Sequence, residues 1–365
     1  MTSIFQRQSM RPSRTQAGFS LIEILVGLVI GLLVTLVIMQ VFSVFEGQKR
    51  STMGTADAQT NGNIALYNVQ RDVQLAGFGL PVFVSKNSPL FCTTFTPVGS
   101  NVSPVTITDG GSAAGASDAI TVRYGTTPSG GIPVIINAIA SIATASDPQA
   151  IRVGVDNNMG CQVNDVALVT SGTTCQITNV IGPSDIRLVP VPSTPPDTTH
   201  IELRDGTGVV TTSSVSCMGG WSAFTYAMNN NQLERNGVPN VAEIVNIQAQ
   251  YGISIAGNSN QITQWVDASG ATWGGAMSVT DRNRIKAIRV AIVARNGLLE
   301  KDIVTNTCTT AKGIVNNGPC AWDDTNVDAA PKIDLSNNAD WQRYRYRVYE
   351  TIIPIRSMIW AKSVL

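Results

Sequence analysis

Histidine is nearly absent from this chain, with His200 its only example. A Ser-His-Asp or Cys-His arrangement would have that ring alone to use. It follows a Pro/Thr-rich loop and opens a strand-like run, which reads as a structural or surface histidine. There is no Gly-rich phosphate loop, no GxGxxG after a strand-like run and no HExxH. The usual nucleotide-binding and metallopeptidase chemistries therefore have no motif here. With one histidine and no CxxC, zinc has no ligand set either. Charge is also scarce: 14% of residues, with 25 basic against 25 acidic. Without a basic excess there is no electrostatic footprint for nucleic acid. No internal repeat is visible. The expectation is a protein that is not an enzyme, with no bound cofactor. Calcium is the one ion left open. Asp323, Asp324 and Asp328 cluster near Cys320, and Asp156-Asn157-Asn158 forms a turn-like triplet. Hard oxygen ligands suit calcium, but neither cluster has the EF-hand spacing, and plain turn residues are the ordinary reading. Trp221, Trp265, Trp273, Trp322, Trp341 and Trp360 read as core aromatics before binding anchors.

What the chain does have is one long apolar run, Gly18 to Phe45. From Ile24 to Met39 no residue is charged, and Thr35 carries the only polar side chain. About 20 apolar residues cross a bilayer as a helix. Arg7, Arg11 and Arg14 precede the run without any acid, and Glu23 lies just inside its start. A secretory signal peptide fits poorly. The apolar core exceeds the usual ~7–15 residues, and Ser43-Val44-Phe45-Glu46 offers no small-x-small cleavage site. A simple uncleaved anchor fits the length but leaves Glu23 unexplained, since a carboxylate in hydrocarbon is costly. A cut between Gly18 and Phe19 is the third reading. It would place a new amine four residues from Glu23, where each can neutralise the other.

Gly18-Phe19-Ser20-Leu21-Ile22-Glu23, between a basic leader and an apolar helix, resembles the cleavage and methylation motif of type IV prepilins and type II secretion pseudopilins. The resemblance implies that a prepilin peptidase cuts after Gly18 and methylates the amine of Phe19. It implies that Glu23 assists assembly. The leader departs from the short family pattern in having Gln16 and Ala17 between its last Arg and Gly18. Met10 is a second candidate start, giving a nine-residue leader.

The expected organisation is a leader at 1–18, a transmembrane helix segment at 19–45 and its periplasmic continuation at 46–80. A β-rich irregular region at 81–240 and a C-terminal sheet at 241–365 follow. Removing residues 1–18 takes away three Arg and no acid, leaving 22 basic residues against 25 acidic. The short leader is easily retained in the cytoplasm, so the large domain goes outside. Leu66, Val69, Val73 and Ala76 fall on one helical face that should dock on the folded domain. Gly47, Gly54 and Gly62 read as weak points in that helix, and Gly77, Gly79 and Pro81 as its stop. Residues 82–118 read as irregular surface. Strand-like runs follow at 119–124, 150–155, 163–170, 176–181, 186–191 and 200–203, then a hairpin at 223–228 and 232–235. Pro190 to Pro196 is a stiff connector. All six cysteines, Cys92, Cys161, Cys175, Cys217, Cys308 and Cys320, lie after the apolar run. An even count in an oxidising compartment favours disulfides. The short-loop expectation is Cys161–Cys175 and Cys308–Cys320, which leaves Cys92–Cys217.

In the last third, 241–256 and 285–295 read as strands. Around 342–349, Tyr344, Tyr346 and Val348 alternate with Arg343, Arg345 and Arg347, a half-buried strand whose Arg row is a solvated face or an interaction stripe. Arg71-Asp-Val-Gln-Leu-Ala-Gly-Phe-Gly, Ile244-Val-Asn-Ile-Gln-Ala-Gln-Tyr-Gly, Ile288-Arg-Val-Ala-Ile-Val-Ala-Arg and Tyr346-Arg-Val-Tyr-Glu-Thr-Ile-Ile-Pro-Ile-Arg resemble, in this order, segments of PilW-type minor pilins. The resemblance covers 18–80 and 241–356. It implies an α+β lollipop, with a long N-terminal transmembrane and spine helix packed on a β-rich globular head. It implies a structural subunit that helps prime a type IV pilus, with a place at the tip, and so supports adhesion and twitching motility. The implied partners are the prepilin peptidase, other minor pilins, the major pilin, a tip adhesin and the bacterial inner membrane. The implied route is a single pass with a periplasmic head, then the pilus on the cell surface. A J-type pseudopilin of type II secretion and a membrane-anchored periplasmic enzyme or sensor are the rival expectations.

Overall fold

The computed structural model describes residues 18–81, 92–128, 131–158, 160–182, 199–275 and 277–360. The basic leader, the run at 186–191 and the Pro190–Pro196 connector lie outside the described residues. Contacts divide the chain into two compact units, residues 1–53 and 54–365. Helix α1 (Leu21–Leu75) contributes to both. It runs without a break through Gly47, Gly54 and Gly62. In the second unit Gly62 is a close-approach point, because a Cβ there would meet the Tyr349 ring at 2.2 Å.

The helical portion of the second unit buries Ala58, Gly62, Ala65, Val69, Asp72 and Val73. Val69, Val73 and Ala76 enter the main core, with Leu66 partly buried beside them. The 3.6-residue period puts them on one face. The helix ends at Leu75, where Gly77 takes φ +77° and donates its N–H to Arg123 O at 2.8 Å. A left-handed residue just past a helix end is the usual role of glycine.

Among the described residues the head consists of strands, short helices and connecting loops. The chain forms β1 (Thr94–Thr96), β2 (Val105–Thr108) and β3 (Ala119–Tyr124). Then come β4 (Val134–Ser141), β5 (Ile151–Val155), β6 (Val166–Ser171), β7 (Thr174–Gly182), β8 (Thr199–Leu203) and β9 (Ser214–Cys217). Next are β10 (Ser222–Asn229), β11 (Gln232–Arg235) and β12 (Val238–Ala242). The last group is β13 (Ile244–Ser254), β14 (Ile262–Asp267), α2 (Gly270–Trp273), α3 (Val279–Arg284) and β15 (Ile285–Arg295). The small pair β16 (Cys308–Thr309) and β17 (Val315–Asn316), then β18 (Tyr346–Pro354) and α4 (Arg356–Trp360), complete the chain. The architecture is α+β.

One sheet has the order β12-β11-β10-β3-β2 and another β14-β13-β15-β18. Both share a core with α1 through Ile120, Val122, Tyr226, Ile247, Tyr251, Ile288, Val290 and Ile353. The middle strands do something else. The order β7-β6-β9-β4-β5-β8 closes when β8 pairs back to β7, with β1 added outside β7. Every pairing around this ring is antiparallel. The product is a small six-stranded barrel with its own core, including Ile136, Val153, Val169, Ile201 and Val215. Closure removes exposed strand edges. The sequence reading of 82–118 as irregular overlooked β1 and β2, and 342–349 is not one strand. Trp341–Arg343 is a 3-10 turn and the strand begins at Tyr346.

Barrel topology also corrects the disulfides. The bonds are Cys92–Cys175, Cys161–Cys217 and Cys308–Cys320. Only the last is the pairing expected from loop length. In the β6–β7 hairpin Cys175 faces Thr170 beside the turn, while Val166 faces Asn179 at the other end. Cys161 lies beyond Val166. At ~3.3 Å per residue it is more than 13 Å along the hairpin from Cys175, out of reach of a bond that needs Cα atoms within ~7 Å. The parallel pairing of β1 with β7 brings Cys92 to Cys175 instead, and β9 carries Cys217 to Cys161.

Candidate functional site

The N-terminal segment is built simply. Gly18, Phe19 and Ser20 precede the helix, and Ser20 O accepts from the N–H groups of Glu23 at 3.0 Å and Ile24 at 3.2 Å. Glu23 therefore occupies the first turn of α1. A negative charge there faces the positive end of the helix dipole. Phe19 is 79% exposed, and among the described residues nothing lies within 4 Å of the Cβ position of Gly18. The scissile bond expected from the sequence is thus open to another protein. Its cleavage would free an amine about one helical turn from the Glu23 carboxylate.

Every residue from Gly18 to Phe45 is exposed, including Leu21, Ile24, Leu28, Leu32, Leu36 and Phe42. The stretch is long and apolar enough to cross a membrane. Two of its three hydroxyls turn inward on the backbone: Thr35 donates to Leu32 O and Ser43 to Gln40 O, each at 2.8 Å. This satisfies polar groups without water, as a helix in lipid or among other helices must. Leaving each Leu, Ile or Phe in water costs ~1.5–3 kcal/mol relative to burying it, so the segment belongs in lipid or among other helices.

The head holds a polar site that the sequence reading missed. Asp72 is fully buried on the docked face of α1. One oxygen accepts from Tyr226 Oη at 2.7 Å and from Arg235 Nε at 3.0 Å, and the other from Arg71 at 3.1 Å. Burial, then the Asp72 contact, pushes the Tyr226 hydroxyl well above its ordinary value. An acid between Val69 and Val73 on an otherwise apolar face was the available signal.

The other sequence candidates are engaged within the head. Asp323 accepts from Ala311 N, Asp324 from Ala330 N and Asp328 from Trp265 N. The Thr310 hydroxyl and backbone N–H groups hold Asp324 below the usual carboxylate range. Asp156 accepts from Asn137. His200 stands in β8 opposite Gly154. Arg345 and Arg347 are exposed and Arg343 partly so, and within this face Arg343 bonds Asp340 at 3.1 Å and Arg345 bonds Glu300 at 2.9 Å. Trp341 is core, and Trp265 and Trp322 flank Arg289.

Residues 13–39 match the family model of the prokaryotic N-terminal methylation motif, and residues 218–357 match that of PilW, type IV pilus-assembly protein W. No curated protein and no solved structure matches the chain. The first match, with the exposed apolar helix and its first-turn acid, defines the class as prepilin-like. The second, which spans β10 to β18, supports a PilW-type minor pilin of the type IV pilus. Membrane anchoring, processing by a prepilin peptidase and association with other pilins follow from this class. The barrel lies between the two matches.

Proposed function

We propose that this chain is a rare, non-catalytic subunit that primes pilus assembly and sits at or near the filament tip. The observation that carries the reading is the wholly exposed apolar segment of α1 behind Gly18, with Glu23 in its first turn. After cleavage the helix is held once across the inner membrane with the head in the periplasm. It is then drawn into a bundle of similar helices, where its apolar surface leaves lipid for protein. Glu23 finds a cation there, the methylated amine of Phe19 on a neighbouring subunit. That pairing sets axial register, because an unpaired carboxylate in an apolar bundle is costly. The barrel between β3 and β10 enlarges the head, which favours a subunit used once over one repeated along a thin shaft. At a tip that bulk is available for an adhesin or a surface. The match over residues 218–357 favours the type IV pilus over the type II secretion rival, whereas the methylation motif is common to both.

Terminal-peptide mass spectrometry of the protein from its native membrane tests the processing step. The expected peptide begins with N-methylated Phe19. A terminus at Met1 or Met10, or after Phe45, would contradict the proposal.

A further inference from the structure

Arg289 is the most unusual cation in the head. It lies mid-strand in β15 and is only 8% exposed. Its Nε donates to Gln250 Oε1 at 2.7 Å, and Nη2 donates to the same oxygen and weakly to Ala329 O at 3.4 Å. These partners are neutral. Among the described residues no carboxylate comes within ion-pair distance of it. Its guanidinium lies over the ring of Trp322 at 4.3 Å and near that of Trp265 at 5.1 Å. Burial lowers its pKa to about 10, so it stays protonated. Asp328, Asp267 and Glu350 act on it only from beyond ion-pair distance and oppose that lowering, so the guanidinium has no carboxylate bonded to it.

The space beside it is not filled. A cavity of about 350 Å³ is lined by Arg289, Trp322, Glu350, Thr351 and Ile352. Trp322 forms part of this wall, and its Nε1 is buried without a hydrogen-bond partner among the described residues. Two donors of the cavity wall, one charged, thus lack a full complement of acceptors. The rest of the lining comes from β18, which is the outermost strand of its sheet. Glu350 and Ile352 are exposed on that strand, Ile352 by 58%.

We propose that this cavity binds the carboxylate of an acidic side chain carried on an extended peptide segment of a partner protein, the segment adding as a strand to the free edge of β18. A guanidinium takes a carboxylate through two parallel bonds, and Trp322 Nε1 supplies a third donor. Strand addition provides main-chain bonds while a pocket selects alternate side chains. The cavity lies at the small end of ligand sites, with room for one side chain and its peptide group. Glu350 stands on the rim as the chain's own competitor for Arg289.

The test is titration calorimetry on the full chain in detergent, with a blocked hexapeptide Thr-Val-Glu-Val-Thr-Val as probe. The peptide with Gln in place of Glu should bind about tenfold more weakly, as expected for a lost charged hydrogen bond. Trp322→Phe, which keeps the ring and removes the N–H, should weaken the acidic peptide severalfold. Glu350→Gln should tighten it. Equal affinity for the Glu and Gln peptides overturns the proposal, as does no heat with either peptide. Insensitivity to both substitutions also overturns it. Glutarate binding as tightly as the peptide would overturn strand addition and leave a small-carboxylate site.

Discussion

Asp72 sits between Val69 and Val73; Arg71 of the same helix bonds one of its oxygens, and the pair of donors on β10 and β11, Tyr226 and Arg235, bonds the other. These donors lock the helix end to the sheet in one register. Asp72→Ala leaves both unpaired and should cost about 3 kcal/mol, read as a lower urea midpoint of the full chain in detergent. Asp72→Asn keeps one acceptor and should cost less. An Asp72→Ala midpoint equal to wild type would show that packing alone fixes the helix. Asp118 makes a different prediction. It is 4% exposed, and its two oxygens accept from Gly110 N at 2.9 Å and Ala249 N at 2.7 Å. Burial raises its pKa from 3.8 to about 7, against the pull of those two N–H groups. The folded chain therefore holds this proton more tightly than the unfolded chain does. Its contribution to stability is full below pH ~4, declines as pH rises toward 7 and is constant above that. Asp267, also raised by burial, acts in the same direction. Urea midpoints at intervals from pH 4.5 to 8.5 should fall and then level, whereas a rise across pH 5–7 would contradict the assignment.

Among the elements, the barrel makes the sharpest prediction. A non-reducing peptide map should link Cys92 with Cys175, Cys161 with Cys217 and Cys308 with Cys320. A Cys161–Cys175 peptide would refute the strand order around the barrel. In the chain-entropy model, losing Cys161–Cys217 should cost roughly 4 kcal/mol and losing Cys308–Cys320 roughly 3 kcal/mol. Much of this was legible in the residues. The long helix, its docked face at Val69, Val73 and Ala76, and strands such as Ala119–Tyr124 and Ile285–Arg295 follow local periodicity. Periodicity is local, and the failures were not. β7 has a partner on each side and β1 adds in parallel, so the spatial neighbours of Cys175 are set by pairings across 83 residues of sequence. Loop length alone could not see them. The Gly62–Tyr349 contact is equally remote, which is why Gly62 reads as a weak point in sequence and is a packing site in the fold. Arg289 and Asp72 were hidden for the same reason: a charge inside an apolar pattern announces a partner but does not name it. The processing motif was fully legible because its chemistry lies in consecutive residues.

At the scale of the whole molecule, two surfaces with different tasks occur on one chain. The exposed apolar segment of α1 is the surface proposed to drive assembly, and the head carries the barrel that the matched pilin segments leave out. The claim that joins them is that the helix is an assembly element and not merely an anchor. Glu23→Gln separates the two roles, because it removes the charge and keeps the length and hydropathy of the segment. The decisive measurement is the amount of this chain in sheared, purified pili from wild-type and Glu23→Gln cells, with membrane level and the Phe19 terminus followed in parallel. The account predicts normal membrane insertion and cleavage after Gly18, with incorporation and pilus number both reduced. Wild-type incorporation and pilus number in the Glu23→Gln cells would contradict it.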